Sequence, residues 1–164
     1  MTDFETLYRR YWSDVWRFSL YLCGNTHDAE DLTEEAFLRA WTSPAPIRVG
    51  TVKAYLFMIV RNLHRDRLRS SKEHAAVDES LRDPRPGPAE TAAGRVELDR
   101  VLAALQKLPE IDRAVLAMAT MGEMPHELIG AAMGLSVSAV KVRIHRARMK
   151  LNAMTGSASD AKDA

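Results

Sequence analysis

A chain of 164 residues with 46% hydrophobic and 27% charged residues has the balance of a folded globular protein and excludes a disordered polymer. Its longest apolar stretches, such as Ala114 to Met121, are too short to span a bilayer, and Asp3, Glu5, Arg9 and Arg10 interrupt any export signal, so a cytoplasmic protein is expected. A single cysteine, Cys23, excludes an intramolecular disulfide framework, and the net charge of +1 conceals blocks of opposite sign along the chain.

The spacing predicts helices throughout. Phe4, Leu7, Tyr8, Tyr11, Val15, Phe18 and Leu22 recur at three- and four-residue steps and so share one helix face. Gly24 and Asn25 end that helix, and Thr26 or Asp28 is expected to cap the next. Leu32, Ala36, Phe37, Ala40 and Trp41 carry an apolar stripe to a loop around Pro44 and Pro46, with Phe37 and Trp41 read as core. Tyr55, Leu56, Ile59, Val60, Leu63 and Leu68 form a third stripe, leaving the arginines of that segment for the remaining surface.

Between Ser70 and Gly94, Pro84, Pro86, Gly87 and Pro88 stand among few large apolar residues, and no period holds. Residues 71–94 therefore read as a flexible linker between a first lobe (1–70) and a second (95–153), followed by a small, polar tail (154–164) expected to be disordered. About twenty extended residues at roughly 3.3 Å each reach on the order of 65 Å. In the second lobe, Val96, Leu98, Val101, Leu102, Leu105 and Leu108 share a stripe that Pro109 breaks. Ile111, Val115, Leu116 and Met118 continue to Gly122. A short helix from Pro125 to about Met133, the turn Gly134-Leu135-Ser136 and a longer last helix make a helix-turn-helix. The predicted fold class is all-α, with two small helical domains joined by the linker.

The charge blocks point to partners. Asp28 to Glu35 holds five carboxylates and no cation; Arg61 to Lys72 holds Arg61, Arg65, Arg67, Arg69 and Lys72 against Asp66 alone. On the last helix, at 100° per residue, Val137, Val140, Ile144, Ala147 and Leu151 cluster on one side and Ser138, Val142, His145, Arg146 and Met149 on the other. Lys141 and Arg148 flank one edge; Arg143 and Lys150 flank the other. That layout suits a major-groove reader, with short side chains toward base edges and cations for phosphates. Arg146 can pair bidentately with guanine, and Val142 can touch a thymine methyl. Catalysis has no comparable support. His27, His64, His74, His126 and His145 are scattered without HExxH or CxxC spacing, and neither a nucleophile elbow nor a glycine-rich phosphate loop occurs. No enzyme, cofactor or metal is expected, and Cys23 reads as a buried small residue.

Three segments together carry a family resemblance. Asp28-Ala-Glu-Asp-Leu-Thr-Glu-Glu-Ala-Phe-Leu-Arg-Ala-Trp41 resembles the signature helix of the bacterial extracytoplasmic-function sigma factors, as does Ala54-Tyr-Leu-Phe-Met-Ile-Val-Arg-Asn-Leu-His-Arg-Asp-Arg-Leu-Arg69. Leu108-Pro109 with Arg113, then Gly134, then Ala139-Val-Lys-Val-Arg-Ile-His-Arg-Ala-Arg148 resemble that family's region 4. The resemblance spans nearly the whole chain in the family's order. It implies a subunit that binds core RNA polymerase, through the beta-prime clamp helices and the beta subunit, and opens promoter DNA.

On these positions, the resemblance assigns polymerase docking to Asp28, Asp31, Glu34, Glu35 and Arg39. It assigns the minus-ten element to Arg61, Asn62, Arg65 and Arg69, with the loop from Thr42 to Val52 shaping a pocket for a flipped base. The minus-thirty-five element falls to Ser138, Lys141, Val142, Arg143, His145, Arg146 and Arg148. An anti-sigma factor is an expected further partner. Departures from the family pattern at Glu34, Pro125, Gly130 and Val142 bear on which promoter is read. The alternative is a stand-alone helix-turn-helix regulator, which would need its own dimer surface or ligand domain.

Overall fold

The computed structural model describes residues 4–43, 52–73 and 92–156. They form seven helices: α1 (Phe4–Cys23), α2 (Thr26–Thr42), α3 (Val52–Glu73), α4 (Ala92–Gln106), α5 (Glu110–Thr120), α6 (His126–Met133) and α7 (Val137–Thr155). No strand occurs among the described residues, and no single described helix is long and apolar enough to cross a membrane.

The first lobe is α1–α3. Val15, Phe18 and Leu22 of α1 are fully buried, as the spacing predicts, against Leu32, Ala36 and Phe37 of α2 and Leu56, Phe57 and Val60 of α3. Phe18 and Phe57 stack with centroids 4.2 Å apart and planes at 7°, an aromatic contact of about 1 kcal/mol beyond its burial. Two buried hydroxyls between α1 and α2 avoid a desolvation cost by bonding back to their own helices. Ser19 Oγ donates to the Val15 carbonyl at 2.8 Å and Thr33 Oγ1 to the Ala29 carbonyl at 2.6 Å.

The α1–α2 turn corrects the predicted cap. The cap is Asn25, neither Thr26 nor Asp28: its Oδ1 accepts from the Asp28 N–H at 2.8 Å while its Nδ2 donates to Asp28 Oδ2 at 2.7 Å. Gly24 before it takes φ +84°, a left-handed conformation that closes α1. A second correction concerns Trp41. Phe37 is core, but Trp41 is 56% exposed and only edges onto Phe4, with centroids 5.3 Å apart. Leu68 and Val96, both read into apolar stripes, are also exposed.

The second lobe packs α4, α6 and α7 around α5, in which Asp112 to Met118 is buried without a break. Pro109 caps α5 and Pro125 caps α6, each preset in φ for helix entry. Gly134 ends α6 at φ +69°, and its N–H and that of Leu135 both reach the Gly130 carbonyl. Ser136 Oγ then caps α7, accepting from the Ala139 N–H at 3.1 Å. α6 and α7 meet at 100°, within the range of a helix-turn-helix.

Gly130, a departure from the family pattern, has a steric reason. A Cβ there would lie 2.6 Å from the Leu135 carbonyl oxygen, so the close return of the chain requires its absence.

The two lobes are packed together, sharing one continuous buried core. Gln106 Nε2 of α4 donates to the Leu22 carbonyl at the end of α1, 3.1 Å away. Gly122 lies so close over Phe57 that a Cβ would approach its ring to 2.7 Å. The helices also run into both ends of the 71–94 linker, since α3 continues to Glu73 and α4 begins at Ala92. Most of that linker lies outside the described residues. The 154–164 tail begins later than expected: Met154 and Thr155 belong to α7, and Gly156 caps it at φ +65°.

Candidate nucleic-acid interface

α7 presents the face expected of it. Val140, Ile144 and Ala147 are buried, and Ser138, Lys141, Val142, His145, Arg146 and Arg148 are exposed. Val142 and Met149 place apolar surface at 51% and 60% exposure on that same outer face, an arrangement that solvent alone does not favour and a groove floor does. Arg143 is the exception. Its Nη1 donates to Asp112 Oδ1 at 2.7 Å, and Asp112 is 4% exposed, so this guanidinium neutralises a buried carboxylate inside the lobe. Arg143, expected on a flanking edge of the minus-thirty-five surface, is here a brace between α5 and α7.

The α3 cations divide in the same way. Asn62 is exposed, as are Arg65 and Arg69, Arg69 being paired with Asp66 one turn away. Arg61, expected on the surface, is 8% exposed. Its Nε and Nη2 donate to the two carboxylate oxygens of Glu110, at 3.0 and 2.9 Å, and Glu110 belongs to the second lobe. Arg65 Nε lies 3.8 Å from the same carboxylate.

Beside Asn62, a cavity of about 340 Å³ opens between α2 and α3, lined by Arg39, Thr42, Ser43, Tyr55, Ile59 and Asn62. Tyr55 offers a ring, and Asn62 and Arg39 offer hydrogen-bonding groups, to this open hollow. Of the expected pocket-forming loop from Thr42 to Val52, residues 44–51 lie outside the described residues.

On α2, Asp31 and Glu34 are exposed along one face. Glu35 is held from two sides, by Arg39 at 3.4 Å and by Arg67 of α3 at 3.3 Å, and Asp28 is spent on the Asn25 cap. The exposed carboxylates of α2 are Glu30, Asp31 and Glu34, with Asp31 lying 3.6 Å from His27. Leu38 at 59% and Trp41 at 56% exposure continue that face at helical spacing, and the sequence reading missed both. Their spacing of four and seven positions from Glu34 was the available signal.

His27, Asp28 and Asp31 bring ligand atoms within 4.8 Å of one another. With Asp28 already committed to the cap, what remains is an exposed pair one turn apart, His27 Nε2 and Asp31 Oδ2 at 3.6 Å.

Three titratable groups are shifted where the lobes meet. Burial, then the nearby Arg113 charge, pulls the His64 imidazole down to about 4. Burial also lowers Arg113, whose Nη1 donates to the Leu105 carbonyl and to Gln106 Oε1, both at 3.3 Å. Burial pushes the Cys23 thiol up to about 11, and its Sγ donates to the Asn25 carbonyl at 3.3 Å. A thiol so raised is protonated at neutral pH and a poor nucleophile.

Residues 7–74 match the Sigma-70 region 2 family and residues 98–151 the Sigma-70, region 4 family. The chain is 34% identical over 157 residues to the ECF RNA polymerase sigma factor SigE of Mycolicibacterium smegmatis, covering 92% of this chain and 61% of that one. It is 33% identical over 140 residues to the ECF RNA polymerase sigma factor EcfG of Rhodopseudomonas palustris, covering 84% and 76%. Among solved structures it is similar to CnrH in complex with the cytosolic domain of CnrY, with a TM-score of 0.70, 29% identity and coverage of 94% and 88%.

Proposed function

Because the chain belongs to the extracytoplasmic-function sigma factors of the Sigma-70 family, we propose that it binds core RNA polymerase and directs it to promoters through the two surfaces described above. The observation that carries this reading is the outer face of α7, where Lys141, Val142, His145 and Arg146 stand exposed on a helix braced from behind by Val140, Ile144 and Ala147. In the major groove, Arg146 and Lys141 read base edges, Val142 meets a thymine methyl, and Ser138 and Arg148 hold phosphates. Arg143 serves this surface only by fixing α7 against α5.

In the first lobe, α3 meets the minus-ten element. Asn62 and Tyr55 receive one base taken from the stack into the 340 Å³ cavity, while Arg61, Arg65 and Arg69 neutralise the backbone of the melted strand. Unstacking costs a few kcal/mol, offset by ring stacking of about 1–3 kcal/mol per base and by phosphate contacts. The docking face on α2 consists of Asp31 and Glu34 with Leu38 and Trp41, carboxylates for steering and an apolar centre for affinity. CnrH is held by the cytosolic domain of CnrY, and an anti-sigma partner of that kind is proposed for this chain as well. A cytoplasmic location follows from working on the polymerase.

The test is a pull-down of core RNA polymerase followed by run-off transcription from a promoter library. Polymerase binding with discrete start sites supports the reading. Tight duplex binding by the chain alone, without polymerase binding, points to the stand-alone regulator instead.

A further inference from the structure

Arg39 sits where two surfaces of the first lobe meet, and its neighbours indicate which one it serves. Family resemblance groups it with Asp31 and Glu34, but at 100° per residue it lies a full step round α2 from Leu38, on the side of α3. There it lines the hollow shared with Tyr55 and Asn62. Its Nη2 donates to Glu35 Oε1 at 3.4 Å, and the other oxygen of that carboxylate accepts from Arg67 Nη2 of α3 at 3.3 Å. Arg39, Glu35 and Arg67 thus form a chain along the α2–α3 seam that ends at the hollow. Arg67 belongs to the basic block of α3, yet it faces α2 and not the surface of Arg65 and Arg69. The signs of the charges point the same way. A docking face built on Asp31 and Glu34 suits a basic partner, which a guanidinium at its border repels. Two guanidinium groups on one carboxylate leave the seam with net positive charge, and the Arg39 side chain is 56% exposed, so this charge stands open at the lip of the hollow. A lip of that sign suits nucleic acid.

We propose that Arg39 is a base-selecting residue of the minus-ten pocket, and that Glu35 and Arg67 are positioning residues that hold its guanidinium beside the hollow. This rests on the reading of the hollow as that pocket. With Nη2 on Glu35, the remaining N–H donors of Arg39 are left for a base. A guanidinium has donors only, so it selects a base with two adjacent acceptors: guanine through O6 and N7, or cytosine through O2 and N3. Adenine and thymine each set an N–H beside the acceptor, and that N–H meets the guanidinium donor to donor. Because Arg67 anchors Glu35 from the neighbouring helix, the fork is set in place before the base arrives, and less side-chain freedom is lost on binding.

The experiment uses the full chain with core polymerase and two readouts. Run-off transcription from a library randomised across the minus-ten element gives base preference, and a pull-down gives retention of polymerase. Arg39→Ala lowers the preference for guanine or cytosine at one position by about tenfold, with polymerase retained within about twofold of the parent. Glu35→Gln and Arg67→Ala lower the same preference by about threefold, and neither lowers it further once Arg39 is alanine, a non-additivity that a merely structural role does not produce. Arg39→Lys keeps the charge without the fork and does not restore the preference. Loss of retention in Arg39→Ala with base preference intact returns Arg39 to the docking face and overturns the proposal. A lost preference that had favoured adenine or thymine overturns it as well. Asn62→Ala separates this outcome from the underlying reading. Preference lost in Asn62→Ala but kept in Arg39→Ala overturns the Arg39 assignment alone, whereas preference kept in both removes the pocket and the proposal with it.

Discussion

At the scale of single residues, charge alone does not decide a role; the partner does. Arg143 and Arg146 are three positions apart on α7 and equally basic. Arg143 faces a carboxylate that is 4% exposed, and Arg146 faces solvent. Removing Arg143 strands the buried Asp112 charge, so Arg143→Ala should destabilise the protein by roughly 3 kcal/mol in urea unfolding. Arg146→Ala should stay within about 0.5 kcal/mol of the parent yet abolish selectivity for the minus-thirty-five element in run-off assays. Equal loss of stability in both would mean Arg143 is not the brace. Cys23 gives a second residue-scale prediction. Its thiol, raised by burial to about 11, should react with iodoacetamide far more slowly at pH 8 in the folded chain than in urea. The same shift means the folded state holds the thiol proton more tightly than the unfolded one. Its contribution is full below about 9 and declines as pH rises toward 11.

At the scale of elements, the tasks proposed for α2 and for the α6–α7 pair are separable and should fail separately. Reversing Asp31 and Glu34 to lysine, or cutting Leu38 to alanine, should lower the amount of core polymerase retained in a pull-down while leaving the helical circular dichroism signal intact. A docking surface elsewhere would leave retention unchanged. Within the helix-turn-helix, Gly130→Ala sets two effects against each other. Alanine gains about 1 kcal/mol in helix propensity, but its Cβ, 2.6 Å from the Leu135 carbonyl, forces the turn open at a cost of about 1–3 kcal/mol. The clash acts on the geometry of the turn and should prevail. The expected outcome is a lower melting temperature together with loss of minus-thirty-five recognition. A rise in melting temperature would show that the turn has room.

At the scale of the whole molecule, the sequence was informative about helices and poor about what they meet. A stripe such as Val15, Phe18 and Leu22 is a local property of a 3.6-residue repeat, and it predicts burial before any neighbour is known. The exposed outer face of α7 is legible from the same repeat. The Arg61–Glu110 pair spans 49 positions and the Arg143–Asp112 pair 31, and no local period encodes either. Trp41 failed for the opposite reason: its position continues the stripe, but in the fold it is 56% exposed and edges onto Phe4. The packed lobes were likewise hidden, because a proline-rich linker is compatible with lobes held together or apart.

That closed arrangement should respond to acid. His64 sits at 6% exposure, facing Arg113 and Glu110 of the second lobe and Arg67 and Asp28 of the first. Its imidazole is pulled down to about 4 from an ordinary 6.5, chiefly by burial and by Arg113. Separating the lobes returns it toward water and away from Arg113, so the open form binds a proton more readily than the closed form. The closed form is therefore at full strength above about 6.5 and weakens as pH falls from there toward 4. In scattering measurements between pH 7 and pH 4.5, the parent chain should expand at a higher pH than His64→Gln, which has no proton to accept. Expansion of both at the same pH would mean that His64 is not the group that responds to acid.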